Sequence, residues 1–224
     1  GLKEQYYRLC EVLGENITTD EEKEMSAKTS KQKLTVKEVE VYLSKCNQMV
    51  GIQFWKERGI TEKTILEYRL TYDETKRALV IPFGKEGYIQ RYLEHSSYRY
   101  IKSLGLRDYF RSHNMNRKLP IILTEGEIDE LSIIEVGYPN VISLGSIVNL
   151  INVYEGIVAI TDLDVIIAVD LDAAGQKWMQ DLIDMCVTIG WRKPINLWDC
   201  MRQPIDTSCK DINDYLIKHR SILA

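Results

Sequence analysis

The fold of this chain is decided by residues 120–129, which read Pro-Ile-Ile-Leu-Thr-Glu-Gly-Glu-Ile-Asp. An apolar run here passes directly into acidic residues, and such a run is typical of a buried parallel strand. A second stretch repeats the pattern, because the apolar residues 165–169 are followed by Asp-Leu-Asp-Ala-Ala-Gly at 170–175. Both acidic groups are therefore predicted at the carboxyl ends of strands, where open α/β sheets place their ligand crevices.

From Leu119 onward, predicted strands alternate with predicted helices, which indicates an α/β fold with a parallel sheet flanked by helices. The strands are predicted at 120–124, 140–144, 165–169 and 194–198, and the helices at 127–136, 146–153, 174–189 and 210–219. A smaller α+β basic subdomain is predicted before this sheet, with three helices between residues 35 and 67 and a hairpin of strands 77–83 and 88–93. We therefore expect a helical or linker segment at 1–34, the basic subdomain at 35–118 and the main domain with its closing helix at 119–224.

The composition excludes few functions. The net charge of −4 decides nothing about nucleic-acid binding, because an acidic metal site lowers the total while basic surface remains elsewhere. The five cysteines are scattered without a Cys-x-x-Cys pair, so we expect no structural zinc site and reduced thiols in a cytoplasmic protein. No apolar run reaches about 18 residues, and no membrane span is expected. Gly1 is typical of a cloning remnant or an internal start, so the sequence can be a fragment of a longer chain.

The acidic residues themselves indicate a hard metal ion. Carboxylates that converge at one sheet edge repel each other unless a cation neutralises them, and oxygen-only ligands favour an ion such as Mg²⁺. Asp129 lies four residues after Glu125, so both are expected to face the same crevice. The alternative is that Glu127 and Asp129 are ordinary acidic residues of a first helical turn.

Asp170 and Asp172 are two residues apart at a strand end, so their side chains can project to the same side. Asp162 and Asp164 have the same spacing but precede the strand, which places them at the amino edge of the sheet. The sequence therefore favours the pair at 170 and 172.

The order of these motifs resembles the Toprim domain, which is shared by bacterial-type primases, topoisomerases and some nucleases. The resemblance implies that Glu125 is a general acid/base or metal ligand, that Asp170 and Asp172 hold Mg²⁺ or Mn²⁺, and that Asp129 supports the site. Lys177 matches a basic position after the second motif, although a solvated helix lysine is an equally good interpretation of it.

The regions before and after the Toprim motifs are similar to the catalytic core of bacterial and phage primases. The similarity rests on residues 54–65, on Gln90-Arg91, on residues 98–103 and on the Lys-Asp-Ile-Asn-Asp-Tyr-Leu element at 210–216, where Ile212 replaces the usual proline. It covers roughly residues 35–219 and implies metal-dependent synthesis of RNA primers from ribonucleoside triphosphates on a single-stranded DNA template, with a replicative helicase as partner.

The same resemblance assigns further residues. Four basic residues would neutralise the triphosphate and the template backbone: Arg77, Arg91, Arg99 and Lys102. Asp211 and Asp214 would extend the metal sites. Tyr92, Tyr98 and Tyr100 offer either stacking faces for single-stranded bases or ordinary packing of a half-buried sheet.

Two departures from complete primases keep other functions open. The chain has no cysteine signature of a zinc-binding module and no Gly-rich Walker loop of a helicase motor. We expect the primase core of a phage, plasmid or mobile element. The alternatives are a Toprim nuclease or topoisomerase-type fragment and a non-catalytic module that binds single-stranded DNA or recruits a helicase.

Overall fold

The structure is a computed structural model that describes residues 33–94, 100–103, 106, 109–116, 118–156, 164–200 and 206–223, the last four without their side chains. The described residues form two compact units, an N-terminal unit up to residue 106 and a C-terminal unit from Tyr109 onward. The domain boundaries expected at 34/35 and 118/119 remain a prediction. None of the described helices is long and apolar enough to cross a membrane.

The N-terminal unit begins with three helices and continues as an antiparallel sheet of four strands in the order β1-β2-β3-β4. The helices are α1 Val36–Leu43, α2 Gln48–Glu57 and α3 Glu62–Glu67, and the strands are β1 Thr71–Asp73, β2 Ala78–Phe83, β3 Gly87–Tyr92 and β4 Tyr100–Lys102.

Local sequence explains where these elements begin and end. Thr35 caps α1 with a complete capping box, because its side chain accepts from the Glu38 amide while the Glu38 carboxylate accepts from the Thr35 amide. Helix α2 is followed by Gly59, whose φ of +77° lies in the left-handed region that glycine adopts readily at the end of a helix. The strand predicted at 77–83 is observed at Ala78–Phe83, with Pro82 opposite Tyr88 in the hairpin.

The helices of this unit pack on the sheet through large apolar side chains. Trp55 of α2 is fully buried, and its indole nitrogen donates to the Thr71 carbonyl oxygen at 3.2 Å. Ile65 of α3 is also fully buried. Burial of side chains of this size contributes about 1.5–3 kcal/mol each, which is sufficient to fix short helices on a sheet.

The C-terminal unit is a five-stranded sheet in the order β5-β7-β6-β8-β9, with β5 antiparallel and the other strands parallel. The strands are β5 Phe110–Arg111, β6 Ile121–Thr124, β7 Val141–Ser143, β8 Val165–Ala168 and β9 Ile195–Asn196. The helices are α4 Glu127–Glu135, α5 Asn149–Gly156, α6 Ala173–Thr188 and α7 Ile212–Leu223, and a 3₁₀ turn spans Leu197–Cys200. The predicted α/β fold is confirmed, and the antiparallel edge strand β5 is an addition to it.

The core of this unit lies around the central strands. Ile121 and Leu123 of β6, Ile142 of β7 and Ile167 of β8 are all fully buried within one apolar cluster. A second cluster contains Ile122, Val141 and Ala168 of the same strands, so both faces of the sheet are buried, as a parallel sheet covered by helices requires. The apolar runs that predict these strands therefore also supply the core.

Three predicted elements differ in extent from the observed ones. Helix α5 begins at Asn149 instead of 146, because Gly145 takes a φ of +59° and Ser146 accepts a turn hydrogen bond from the Asn149 amide. The strand predicted at 194–198 is short and passes into the 3₁₀ turn. Helix α7 begins two residues later than predicted and extends to Leu223.

Candidate active site

The acidic stretches follow two neighbouring parallel strands. Thr124 of β6 lies beside Ala168 of β8 in the register, so Glu125 and Val169 continue from adjacent positions and Asp170 follows at the same edge of the sheet. This is the carboxyl edge, where parallel α/β sheets present their ligand-binding loops. The central geometric expectation from the sequence therefore agrees with the strand register.

Glu125 is exposed, and its backbone is fixed from the adjacent loop. Its carbonyl oxygen accepts from the Gly145 amide at 2.9 Å and from the Ser143 hydroxyl at 3.2 Å. Gly126, in extended conformation, is the N-cap of α4 and starts the helix directly after the strand. Glu125 thus lies in a short, hydrogen-bonded turn, and its side chain is exposed to solvent.

Asp170 and Asp172 are held by the turn that leads into α6. Asp172 is the N-cap of α6 and accepts from the Gly175 amide at 2.9 Å, so part of its role is structural. The space around Gly175 admits no side chain, because a Cβ there would lie 2.1 Å from the Asp170 carbonyl oxygen. The glycine therefore lets the turn close tightly enough to present Asp170.

A segment from the C-terminal end of the chain reaches the second acidic stretch. The Lys210 ammonium lies 3.1 Å from the Asp170 carboxylate, and the Lys210 carbonyl accepts from the Leu171 amide at 2.7 Å. The hydrogen bond to Asp170 raises the pKa of Lys210, and the charges of Asp172 and Asp211 act in the same direction. Lys210 therefore lies in the electrostatic field of three carboxylates.

Asp211 directly precedes helix α7 and caps its first turn. Its carboxylate accepts from the Asp214 amide at 2.8 Å, and the Asp214 carboxylate accepts from the Lys210 amide at 3.1 Å. Burial raises the pKa of Asp211 above its usual range; the Asp214 amide opposes this, while the negative charges of Asp214 and Asp170 reinforce it. Asp211 is close enough to Asp170 for their charges to interact, as the metal-ligand expectation requires, but it also has a clear capping role.

The same C-terminal segment also contacts the first acidic stretch. The Asp129 carboxylate accepts from the Asn213 amide at 3.3 Å, and the Asn213 side chain donates to the Ser132 hydroxyl at 3.0 Å. Residues 210–213 therefore contact both Asp129 and Asp170. The sequence assigns roles only to the acidic members of this element, and the contacts of Lys210 and Asn213 become visible in the structure.

The carboxylates do not form a closed ligand set in this structure. Over the described parts of the chain, Glu125, Asp170 and Asp172 are not among the groups of three potential ligands whose donor atoms all lie within 4.8 Å of one another. Such an open arrangement of oxygen donors fits Mg²⁺, which keeps several waters and takes one or two protein carboxylates together with substrate phosphates. Mn²⁺ accepts the same donors.

Glu130 is a second feature that the sequence analysis missed. Its side chain is fully buried; one oxygen accepts from the Ser143 amide at 2.6 Å, and the other has no hydrogen-bond partner. Burial raises its pKa well above the usual value, and the Ser143 amide only partly offsets this. Glu130 shares a helical face with Glu127 and Leu131, both of which are also buried in the structure.

Of the predicted basic residues that the structure describes, Arg77, Arg91 and Lys102 lie in the N-terminal unit and Lys177 lies in the C-terminal unit. The Arg91 guanidinium lies 4.9 Å from the centre of the Tyr100 ring, which is the geometry of a cation–π contact. Arg91 and Tyr100 are direct partners across β3 and β4, and Lys102 lies two residues further along β4, so all three share one face of the sheet.

The remaining basic residues have other surroundings. Arg77 forms an ion pair with Glu94 at 2.5 Å. Lys177 is exposed on α6, and Arg99 lies outside the described residues. Asp164 lies at the amino edge, as predicted, and forms an ion pair with Arg192 at 2.7 Å, while Asp162 also lies outside the described residues.

Known proteins that are similar to this chain include a family with the same acidic motifs and several solved structures with the same fold. The Toprim-like family model matches residues 122–216, which contain both acidic stretches and the C-terminal segment. No curated protein matches the chain. Three similar solved structures are the zinc-binding and RNA polymerase domains of the Aquifex aeolicus primase, the primase fragment of the bacteriophage T7 primase-helicase protein and a DnaG primase catalytic domain bound to single-stranded DNA.

These structures are distant in sequence and similar in fold. The Aquifex chain is 21% identical with a TM-score of 0.57, and the alignment covers 76% of this chain and 54% of that one. The T7 fragment is 20% identical with a TM-score of 0.55 and coverages of 75% and 69%. The DnaG domain is 12% identical with a TM-score of 0.60 and coverages of 84% and 77%.

Residues 122–216 therefore resemble a Toprim-like domain, over less than half of the chain. The aligned 75–84% of the chain has the fold of the catalytic cores of bacterial and phage DnaG-type primases, and the resemblance found in the sequence is confirmed at the level of the fold. The chain spans about half the length of the Aquifex primase chain.

Proposed function

We propose that this chain is the catalytic core of a DNA primase, which joins ribonucleotides on a single-stranded DNA template by metal-dependent nucleotidyl transfer. The observation that carries the proposal is the arrangement of Glu125, Asp170 and Asp172 at the carboxyl edge of adjacent parallel strands of a Toprim-like domain. The primase-core fold supports the choice of primer synthesis over the other Toprim reactions.

Glu125, Asp170, Asp172 and Asp211 would hold Mg²⁺ or Mn²⁺, with Asp129 fixing the C-terminal segment beside them. When bound, the metal supplies neutralisation of phosphate charge and a more acidic 3′-hydroxyl. The protein has little covalent chemistry to perform in phosphoryl transfer, so its contribution is positioning and electrostatics. Glu125, which is exposed, is our candidate for accepting the proton of the attacking hydroxyl.

The cationic residues are proposed to bind the phosphates of nucleotide and template. Arg91, Lys102 and Arg99 would contact template phosphates, with Arg77 contributing less because Glu94 already neutralises it. Lys177 is our candidate for a contact with the incoming triphosphate. Tyr100, 44% exposed, retains enough free ring surface for a base to stack on it.

The partners follow from the same proposal. The T7 relative is a fragment of a primase-helicase protein, and we propose that this chain likewise acts with a replicative helicase. The DnaG relative was observed with single-stranded DNA, which we propose as the template here. We further propose a cytoplasmic enzyme from a phage, plasmid or mobile element.

Primer synthesis tests the proposal directly. The chain is incubated with single-stranded DNA of mixed sequence, labelled ribonucleoside triphosphates and Mg²⁺ or Mn²⁺, and short RNA products are resolved on a gel. The variant Asp170→Asn/Asp172→Asn removes two charges, and asparagine at 172 still caps α6. We expect template-dependent products from the wild type and at least a hundredfold less from this variant.

Asp164→Asn is the matched control, because it removes an acidic residue from the other edge of the same sheet. Its exposed ion pair with Arg192 contributes at most about 1 kcal/mol, so primer synthesis should persist. Metal-dependent cleavage of the template in place of primer formation would replace our proposal with a nuclease. Template binding without either activity would identify a non-catalytic module.

A further inference from the structure

A cluster of three chemically different donors lies outside the proposed active site. The side chains of Asp206, Cys209 and His219 place one oxygen, one sulfur and one nitrogen within 4.8 Å of one another. Among the described residues, this is the one group of three potential metal ligands whose donor atoms lie so close together. Cys209 is almost fully buried, whereas Asp206 and His219 keep partial access to solvent.

The local structure holds these side chains in position before any ligand arrives. The Asp206 carboxylate accepts from the Ser208 amide at 3.0 Å, and the Asp206 carbonyl accepts from the Cys209 amide at 2.9 Å, which closes a tight turn. The His219 ring lies 4.4 Å from the centre of the Tyr215 ring on the same helix, and its Nε2 lies 2.9 Å from Asp206. The contacts from Ser208 and Tyr215 come from outside the donor set and orient the ligands, which favours metal binding. The direct contact between His219 and Asp206 would be replaced by their bonds to the ion.

We propose that Asp206, Cys209 and His219 bind a divalent transition-metal ion of the zinc class. Zinc sites combine sulfur, imidazole and carboxylate ligands, and three protein ligands leave a fourth position for water. With Zn–S near 2.3 Å and Zn–N or Zn–O near 2.1 Å, tetrahedral ligand atoms lie roughly 3.3–3.7 Å apart. His219 Nε2 lies 2.9 Å from Asp206, and all three donor atoms lie within 4.8 Å of one another, so small side-chain adjustments would bring them to this spacing.

The proposal differs from the expectation that the cysteine spacing gives. The absence of a Cys-x-x-Cys pair argues against a structural zinc site only when cysteines supply the ligands in pairs, whereas here a turn and one helix each supply different donors. Binding of the ion releases the Cys209 thiol proton, since the thiolate is the ligand. Lys218, whose ammonium lies 2.7 Å from Asp206, opposes the metal by its charge and limits the affinity.

This sulfur-containing site differs in chemistry from the oxygen-only site at Asp170. Mg²⁺ prefers the oxygen site, and soft or borderline ions prefer the site with the thiolate. A spectroscopic probe of the metal–sulfur bond therefore reports on Cys209 whether or not the chain synthesises primers.

Cobalt substitution tests the inference on the complete, untagged chain. The protein is titrated with Co²⁺ in the presence of excess Mg²⁺, and the absorption spectrum is followed together with competition by Zn²⁺. We expect one equivalent of bound Co²⁺ with tetrahedral visible bands and a thiolate-to-cobalt charge-transfer band in the near ultraviolet. The charge-transfer band should disappear in Cys209→Ser, and His219→Gln and Asp206→Asn should each weaken Zn²⁺ binding by at least about tenfold.

Three further variants make the result specific. Cys200→Ser, which changes an exposed cysteine nearby, and Asp170→Asn should both retain the charge-transfer band. Lys218→Met should strengthen Zn²⁺ binding because it removes the opposing charge. The inference is overturned if the wild type shows no charge-transfer band, or if the band survives in Cys209→Ser.

Discussion

Gly175→Ala probes the turn that presents Asp170 and Asp172. Glycine is a poor helix former, so replacement by alanine inside a helix normally stabilises a protein by about 1 kcal/mol. Here the added Cβ would lie 2.1 Å from the oxygen, 2.8 Å from the carbon and 2.9 Å from the nitrogen of Asp170. These are backbone atoms, so they cannot rotate away as the end of a long side chain can.

The magnitude follows from the size of this overlap. Non-bonded heavy atoms prefer separations of about 3.5–4.0 Å, so the Asp170 backbone must move by more than an ångström. Overpacking of this kind costs about 1–3 kcal/mol, and the rigid neighbours favour the upper half of that range. After the helix-propensity gain, we expect a net loss of about 1–2 kcal/mol and a melting temperature lower by roughly 2–8 °C.

Thermal and urea unfolding measure the stability change, and primer synthesis measures its consequence at the site. A displacement of about 1 Å at a catalytic group can cost a hundredfold in rate, so primer yield should fall more than stability does. Gly156→Ala is the control, because this glycine is also helical and, among the described residues, a Cβ there meets the Tyr109 hydroxyl at 3.3 Å and no backbone atom. If Gly175→Ala is as stable and as active as Gly156→Ala, the tight turn and its role are both wrong.

Three further perturbations test other parts of the structure. The raised pKa of Glu130 means that the folded chain holds this proton more tightly than the unfolded chain, so stability falls as pH rises from the usual value of 4.5 toward the raised one. Glu130→Gln should therefore flatten the decline of the urea midpoint between pH 5 and 8, and an unchanged slope would contradict the assignment. Tyr100→Ala should weaken single-stranded DNA binding by about 1–3 kcal/mol in fluorescence anisotropy if a base stacks on the ring, whereas equal binding would leave the tyrosine a packing role. Lys210→Met should increase Mg²⁺ affinity by about two- to tenfold in calorimetric titration, a modest gain because the Lys210 side chain is half exposed; weaker Mg²⁺ binding would instead mean that Lys210 holds Asp170 in place.

The sequence predicts the acidic edge well because each signal there is local. Apolar runs define β6 and β8, and the parallel register that follows from βαβ connections brings their carboxyl ends together. The sequence places Asp164 at the amino edge because this residue precedes the strand, and the structure agrees with that position.

Other features depend on contacts between distant parts of the chain, which one sequence does not display. Strand β5 has only two residues and is defined by its pairing with β7. A segment this short shows no hydrophobic periodicity from which a strand could be predicted. Lys210 contacts Asp170, which lies 40 positions earlier in the chain, and Asn213 contacts Asp129, which lies 84 positions earlier. The buried Glu130 was overlooked because acidic residues near a helix N-terminus are usually solvated.

The position of a bound Mn²⁺ ion tests the central claim most directly, since manganese is located by its anomalous scattering in crystals of the chain. We predict a peak about 2.0–2.6 Å from carboxylate oxygens of Asp170 and of Glu125 or Asp172, at the carboxyl edge of the parallel sheet. A Mn²⁺ ion bound elsewhere, with none at that edge under conditions that saturate the protein, would contradict the proposed active site.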